Sequence, residues 1–334
     1  MRPLISAIAL LSVAACGQAD PENQGARYHD ADRAYGTVEL LASDEFAGRE
    51  TNTPAAEKTR VLIAELFEEY GLEPLGNDGY FDDFTWIPRN FSEDDQEPLP
   101  ARNVVGMIRG SSDNGNGPVI VMTAHYDHVG TDEDGQIYNG ADDNASGTAA
   151  ILEAAAWFVE NPPVHTILFV GFDAEEFGLQ GARSFVDEPP LAFERIAFNL
   201  NLDMVSRADN GKLWAVGTYH FPYLKPYVET VQTEAPIDLR MGFDEPTDDP
   251  RNDWTYLSDQ GAFIAKGIPA IYLGVEDHPD YHQPSDTADK IDPETYANIV
   301  DTVIMLAKEI DENLGDVVTA REAAEAESEA AGDE

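Results

Sequence analysis

Three consecutive stretches of the chain decide its fold: PVIVMTA at residues 118–124, ASGTAAILEAAAWFVE at residues 145–160 and VHTILFVGF at residues 164–172. The first and third are short, continuous apolar runs rich in β-branched and aromatic residues, which indicates strands that are buried on both faces. The alanine-rich middle stretch has the length and composition of a helix. The order strand, helix, strand predicts a crossover unit of an α/β sheet with helices on both faces.

Two further apolar runs extend this predicted sheet, at residues 196–202 and 268–274. A helical pattern begins at Pro54 and stops at Gly71, which is a typical C-terminal helix residue. No internal repeat and no insertion large enough for a second folded domain interrupts this order. We therefore predict an α/β fold with a single globular domain, in which a central mixed, mostly parallel β-sheet is flanked by helices.

The charge of the chain excludes one class of partner. The sequence has 20 Lys and Arg against 64 Asp and Glu, which gives a net charge of −44 over 334 residues. Such a surface repels the phosphates of nucleic acids and anionic lipid headgroups. The apolar content of 43% is ordinary for a folded domain, so a fibrous or wholly disordered chain is excluded as well. We predict no nucleic acid partner.

The N-terminus has the pattern of an export signal. Arg2 precedes an apolar run at residues 4–15 that is too short to anchor in a bilayer, and small residues lead to Cys16, the only cysteine of the chain. This junction resembles the lipobox of bacterial lipoproteins, in which the cysteine is lipidated and becomes the first mature residue. The resemblance implies that Cys16 carries the lipid, that this lipid is the only membrane contact, and that the protein is extracytoplasmic, on the periplasmic side or the cell surface.

These patterns divide the chain into four parts. Residues 1–15 form the export signal, and residues 16–27 form the lipidated cysteine and a polar tether that contains Gly and Pro. Residues 28–310 form the globular domain. Residues 311–334 are rich in Ala and Glu, which predicts a disordered acidic tail. The oligomeric state leaves no mark in the sequence.

Polar side chains follow the predicted strands. The carboxyl ends of parallel strands meet at one crevice of an open α/β sheet, so we expect residues that are distant in sequence to converge there. Buried carboxylates raise one another's pKa unless a cation neutralises them, and a set of imidazoles and carboxylates suits zinc. The residues concerned are His125, Asp127, Asp173, Glu175, Glu176, Asp203 and His282. His128 follows the first strand closely enough to line the same pocket, and its role stays open.

Five motifs occur in a fixed order: His125-Tyr126-Asp127, the glycine-rich stretch at residues 139–147, residues 172–178, Asn201-Leu202-Asp203 and Tyr281-His282. Taken alone, the glycine-rich stretch is explained by a turn and a helix cap. Together and in this order, the motifs resemble the co-catalytic zinc aminopeptidase family, which also includes glutamate carboxypeptidase-like and glutaminyl cyclase-like members. The resemblance covers residues 41–310 and implies the zinc exopeptidase fold.

The resemblance also implies two zinc ions per chain and a ligand set for them. Asp143 matches the carboxylate that bridges the two ions. His125 and Asp203 would complete one metal site, and Glu176 and His282 the other. A bridging carboxylate holds two cations about 3.5–4 Å apart, so that both act on one substrate oxygen or water.

Three more residues match positions beside the metals. Glu175 matches the general base, which takes a proton from the attacking water and later protonates the departing amine. Asp127 matches the position that orients the imidazole of His125. Tyr281 matches a phenol that stabilises the oxyanion in some members, although a tyrosine at this position can equally pack with its ring and donate to the backbone.

The family implies a metallopeptidase, most directly an aminopeptidase that acts on peptides with a free N-terminus. A glutaminyl cyclase-like transferase with one zinc shares the fold, although residues 142–147 are more similar to the peptidases. A non-catalytic peptide-binding lipoprotein is a further alternative, but such a protein would lack the base or the ligands, and all are present here. A carboxypeptidase or dipeptidase needs a cation for the substrate's terminal carboxylate, and the sequence offers four without ranking them: Arg183, Arg207, Arg240 and Arg251.

Overall fold

The computed structural model describes residues 27–88, 97–112 and 114–332. Within these ranges the strands are β1 (Glu73–Pro74), β2 (Phe81–Trp86), β3 (Leu99–Ile108), β4 (Val119–His125), β5 (Thr166–Phe172), β6 (Ile196–Leu202), β7 (Lys212–Val216), β8 (Asp238–Met241) and β9 (Ala270–Gly274). They form one sheet in the order β1-β3-β5-β4-β6-β9-β7-β8, and β2 also pairs with β3. The predicted α/β class and the single mixed sheet are confirmed.

The four strands predicted from apolar runs form the centre of this sheet. They are β5, β4, β6 and β9, which lie side by side and run parallel. Every residue of these four strands is buried. Burial on both faces explains why their sequences are mostly apolar rather than alternating. The exceptions in β6, Asn199 and Asn201, are buried and hydrogen-bonded.

Antiparallel pairs flank the parallel centre. On one side β3 runs antiparallel to β5, and β1 and β2 run antiparallel to β3. On the other side β7 runs antiparallel to β9, and β8 is parallel to β7. Strands β1, β2 and β8 are short or partly exposed, and therefore carry no continuous apolar run that the sequence could reveal.

Eight α-helices occur in the described ranges: α1 (Ala31–Leu41), α2 (Pro54–Tyr70), α3 (Gly147–Glu160), α4 (Gln180–Asp187), α5 (Lys225–Gln232), α6 (Gln260–Ile264), α7 (Pro293–Glu312) and α8 (Leu314–Gly332). The predicted helix from Pro54 is α2, and Gly71 ends it with a φ of +89°. Glycine is favoured at this positive φ because it has no side chain to clash with the backbone. None of the described helices is long and apolar enough to cross a membrane.

Two layers of helices cover the sheet. Ile120 and Met122 of β4 pack with α1, α2, α3 and α7 on one face. Val119 and Val121 of the same strand point to the opposite face, where α4 and α6 pack. Successive side chains of a strand alternate between faces, so one central strand supports both layers. This arrangement leaves the carboxyl ends of the central strands as the open edge.

The acidic tail differs from the prediction. Residues 311–334 were expected to be disordered, whereas α8 runs through most of this segment. Leu314 and Val317 are fully buried in the core, and this anchorage, together with the high helix propensity of Ala and Glu, accounts for the helix. The export signal, Cys16 and the tether up to residue 26 lie outside the described residues.

Candidate metal centre

The loops at the carboxyl ends of the central strands bring the predicted site residues together. His125 is the last residue of β4, and Asp203 directly follows β6. Asp173 follows β5 and begins the turn that carries Glu175 and Glu176. The loop after β9 then returns His282 to the same place. The site lies where the topology of an open α/β sheet puts it.

The donor atoms form two groups, and in each group they lie within 4.8 Å of one another. In the first group, Nε2 of His125 lies 3.2 Å from Oδ1 of Asp203 and 3.4 Å from Oδ1 of Asp143. In the second group, Nε2 of His282 lies 3.0 Å from Oδ2 of Asp143 and 3.1 Å from Oε2 of Glu176. The two groups share Asp143, which turns one carboxylate oxygen towards each.

The chemistry of these groups fits a pair of cations. Oδ2 of Asp143 is buried, and although Nε2 of His282 lies 3.0 Å away, no hydrogen bond of suitable geometry reaches this oxygen within the described residues. Burial and the neighbouring Glu176 raise the pKa of Asp143 above its usual range. A buried carboxylate without a donor is costly unless a positive charge compensates it. Two imidazole and carboxylate groups joined by one bridging carboxylate form a donor set that suits zinc.

The loop that carries Asp143 is held from two sides. The carboxylate of Asp286 accepts hydrogen bonds from the backbone N–H groups of Asp142 and Asp143, each at 3.1 Å. On the other side, the fully buried guanidinium of Arg49 donates to the carbonyl oxygens of Asn139 and Gly140, each at 2.7 Å. Burial lowers the pKa of Arg49 to about 10, so it remains a cation at neutral pH. Asp143 is therefore fixed before any ion binds.

Adjacent aspartates have different roles. Oδ1 of Asp142 accepts hydrogen bonds from the backbone N–H and the hydroxyl of Ser206, at 2.8 and 2.6 Å. Its Oδ2 lies 3.0 Å from Nε2 of His278, which belongs to the loop that carries His282. Asp142 thus joins the loop after β6 to the loop after β9, and it offers no oxygen to either group of donors.

Asp127 supports the site differently from the expectation. Its carboxylate lies 3.7 Å from Nδ1 of His125, beyond hydrogen-bond distance, whereas its main-chain carbonyl oxygen lies 3.1 Å from the same nitrogen. The carboxylate instead accepts the backbone N–H groups of Glu175 and Glu176, at 3.0 and 3.3 Å. Asp127 therefore fixes the turn that carries the predicted base, and it contacts His125 through its backbone.

Glu175 stands beside both groups without belonging to either. Burial, with Glu176 and Asp259 nearby, raises the pKa of its carboxyl group well above the usual range, although His125 opposes this shift. A carboxylate with a raised pKa is a stronger proton acceptor. Asp259 is itself fully buried, neither of its oxygens has a partner in the described ranges, and burial raises its pKa to about 7.

Tyr281 lies at the rim of the site. Its ring stacks on that of His282, with ring centroids 4.1 Å apart and an angle of 26° between the planes. Burial and the nearby Asp143 raise the pKa of its phenol, so the hydroxyl stays protonated and available as a donor. The side chain is 36% exposed, and it therefore borders the space open to a substrate.

His128 is a member of the second group that the sequence left open. Its Nδ1 lies 2.8 Å from Oε1 of Glu176 and 3.5 Å from Oδ2 of Asp143. The ring packs against Gly140, where an added Cβ would lie only 2.5 Å from Cδ2 of His128. The only signal in the sequence is its place three residues after His125, because the packing on Gly140 depends on how the loop folds.

Comparisons with known proteins agree with this geometry. Residues 103–307, more than half of the chain, match the model of Peptidase family M28. The chain is 27% identical over 322 residues to the probable lipoprotein aminopeptidase LpqL of Mycobacterium tuberculosis, covering 87% of this chain and 59% of LpqL. It therefore spans less than two thirds of that relative.

Two solved structures share the fold. A zinc aminopeptidase from Bacillus subtilis superposes with a TM-score of 0.67 at 18% identity, over 84% of this chain and 95% of that enzyme. A glutaminyl cyclase from Bacteroides thetaiotaomicron superposes with a TM-score of 0.66 at 22% identity, over 83% of this chain and 97% of that protein. At these identities the likeness is one of fold, and the family match is the stronger finding. The chain belongs to Peptidase family M28.

Proposed function

We propose that this protein is an extracytoplasmic, lipid-anchored aminopeptidase that uses two zinc ions. The observation that carries the proposal is the division of Asp143 between two groups of donors, one oxygen facing each. His125 and Asp203 would hold the first zinc ion together with Asp143, and Glu176 and His282 would hold the second. A single-zinc cyclase has no need for a carboxylate shared in this way, so the geometry favours the peptidase over the transferase.

The two zinc ions supply Lewis-acid activation of the scissile carbonyl and of the attacking water. Glu175, placed beside both groups of donors, would take the proton of the attacking water and return it to the departing amine. Asp127 holds Glu175 in place by accepting its backbone N–H. Tyr281, at the rim, donates a hydrogen bond from its phenolic hydroxyl to the negative charge that develops on the carbonyl oxygen.

The family and the name of LpqL support release of N-terminal residues from peptides with a free N-terminus. LpqL is named as a lipoprotein, which agrees with lipidation of Cys16 and an attachment to the outer face of a bacterial membrane. The strongly negative charge of the chain leaves the lipid as the membrane contact, because acidic surfaces are repelled by anionic headgroups.

The test is peptide hydrolysis by the chain that starts after Cys16. Matched peptides with free and acetylated N-termini are incubated with the zinc-loaded protein, with and without a chelator. Release of the first residue only from the free peptide, abolished by the chelator and restored by zinc, is the expected result. If neither peptide is cleaved and an N-terminal glutamine is cyclised instead, the protein is a transferase of the same fold.

A further inference from the structure

A cavity of about 270 Å³ lies between α4 and α6, outside the two groups of metal donors. Leu179, Val186 and Ala262 give it apolar walls, and Tyr256 stands at its side with 57% of its surface exposed. Lys266 and Asp187, which form a salt bridge of 2.6 Å, also line it. We call this cavity the α4–α6 groove.

Arg183 lines the groove, and its guanidinium has no hydrogen-bond or ion-pair partner among the described residues. Every other arginine of the described ranges contacts an acceptor. Of the four candidates for a substrate carboxylate, the other three are already paired with aspartates: Arg207 with Asp209 and Asp280, Arg240 with Asp238, and Arg251 with Asp249. In a chain with 64 acids and 20 bases, an unpaired arginine beside a cavity is available to an external anion.

The groove begins next to the candidate metal centre. The backbone N–H of Leu179 bonds to the carbonyl of Glu175, and the N–H of Arg183 bonds to the carbonyl of Leu179, each at 2.9 Å. Each of these hydrogen-bonded turns brings its end residues about 6 Å apart, so Glu175 and Arg183 lie at most about 12 Å from each other. Only the second turn is helical, because Leu179 has a left-handed φ of +61°. Two to three extended peptide residues cover about 7–11 Å, which is comparable to this limit. A carboxylate at Arg183 would therefore lie no more than about two to three residues beyond the scissile bond.

We propose that the α4–α6 groove binds the C-terminal part of short peptide substrates, and that Arg183 binds their free terminal carboxylate. The proposal rests on the aminopeptidase function proposed above. The guanidinium can form two parallel hydrogen bonds to a carboxylate, and the apolar walls accommodate the side chain of the last residue. The preferred substrates are short peptides of up to about four residues, because the carboxylate of a long peptide lies beyond the groove.

The test measures binding to the zinc-loaded Glu175→Gln protein, so that the peptide is not consumed. The tetrapeptide Leu-Ala-Ala-Leu and its C-terminal amide are titrated by calorimetry. We expect the amide to bind about 3- to 10-fold more weakly, since it lacks the charge that pairs with a partly solvated guanidinium. Arg183→Gln should lower the affinity for the acid by the same factor and leave the affinity for the amide unchanged. Arg183→Lys should retain part of the preference for the acid.

Two further variants control the experiment. Arg240→Gln removes an exposed arginine that is already paired, and it should not change either affinity. Ala265→Phe fills the groove from an exposed position and should weaken the acid and the amide alike. The preference for the acid should also disappear for an octapeptide and its amide.

The proposal is overturned if Arg183→Gln keeps the full preference for the acid, or if the Glu175→Gln protein shows no preference at all. Hydrolysis of leucine p-nitroanilide by the unmodified zinc enzyme tests the aminopeptidase function separately, because this substrate does not extend into the groove. If the anilide is hydrolysed but the tetrapeptide acid does not bind more tightly than its amide, only the proposed role of the groove is refuted. If the acid binds more tightly than the amide but the anilide is not hydrolysed, the proposed role of the groove is supported and only the aminopeptidase function is refuted.

Discussion

In the first half of the metal centre, His125 and Asp203 lie at the ends of neighbouring buried strands, whereas in the second half Glu176 and His282 are carried by connecting loops. The side chain of His125 is 1% exposed and that of His282 is 38% exposed. Strand ends are fixed by the hydrogen bonds of the sheet, but loops need side-chain contacts to hold them. The first half therefore depends on the fold, and the second half depends on the residues that tie its loops down.

The largest effect is expected at Asp143, the residue that joins the two halves. Asp143→Ala removes an oxygen from each site, so both zinc ions should bind at least about 100-fold more weakly and turnover should fall by about 10³-fold or more. Zinc content after dialysis and the rate on leucine p-nitroanilide measure this. Asp209→Asn, at an exposed aspartate, is the matched control. Retention of one tightly bound ion would show that Asp143 does not bridge.

Glu175→Gln should separate chemistry from metal binding in both halves. The amide cannot accept the proton of the attacking water, so turnover should fall by about 100-fold or more while two zinc ions remain bound. Stoichiometry by atomic absorption is measured on the same samples as the rate. Loss of zinc with an unchanged rate per bound ion would contradict the role of Glu175 as a base.

His282→Ala should break the second half alone. One ion is expected to bind about 10- to 100-fold more weakly, and the other ion should keep its affinity because His125 and Asp203 remain on their strands. A cobalt titration followed by visible absorption resolves the two binding steps. An equal loss at both steps would mean that the halves do not form independently.

The electrostatics of the first half can be examined in the metal-free protein through Asp259. Burial raises the pKa of Asp259 to about 7, with His125 opposing the shift and Asp203 adding to it. Between pH 4 and 7 the folded state holds a proton that the unfolded chain releases, so the free energy of unfolding should fall as the pH rises, by up to about 1.4 kcal/mol per pH unit. Urea unfolding at a series of pH values should show a flatter dependence for Asp259→Asn.

The smallest effect is expected at His278, which ties the loop of His282 to Asp142. His278→Gln should lower the affinity for the second ion about 3- to 5-fold and leave the affinity for the first unchanged, since the loop loses one contact but no ligand. His220→Gln, at a histidine that bonds to Thr255 instead, is the matched control. Equal weakening of both ions, or none, would remove His278 from the account of the second half.

The same contrast explains what the sequence could predict. The positions of His125 and Asp203 at strand ends can be predicted from the apolar runs that precede them. Such runs indicate strands that are buried on both faces, as in a parallel sheet, whose site lies at the carboxyl ends of the strands. The helix α2 follows from its spacing and from Gly71. The partly exposed strands β1, β2 and β8 carry no such run, and the helix α8 depends on two buried side chains in an otherwise acidic segment.

Loop residues were harder to assign because their partners are distant in sequence. The role of Asp127 in fixing the turn at Glu175 depends on a backbone N–H that lies 48 residues away. His128 enters the second group through a ring packed on Gly140, and Arg49 holds the loop of Asp143 from another part of the chain. Arg183 differs from the other candidate arginines through their ion pairs, which depend on the fold and not on the sequence pattern.

The most direct test of the central claim is anomalous diffraction at the zinc absorption edge from crystals of the zinc-loaded protein. The account predicts two peaks about 3.5–4 Å apart, one beside His125 and Asp203 and the other beside Glu176 and His282, with Asp143 between them. A single peak, or two peaks that do not share Asp143, would contradict the bridged two-zinc centre on which the proposed aminopeptidase depends.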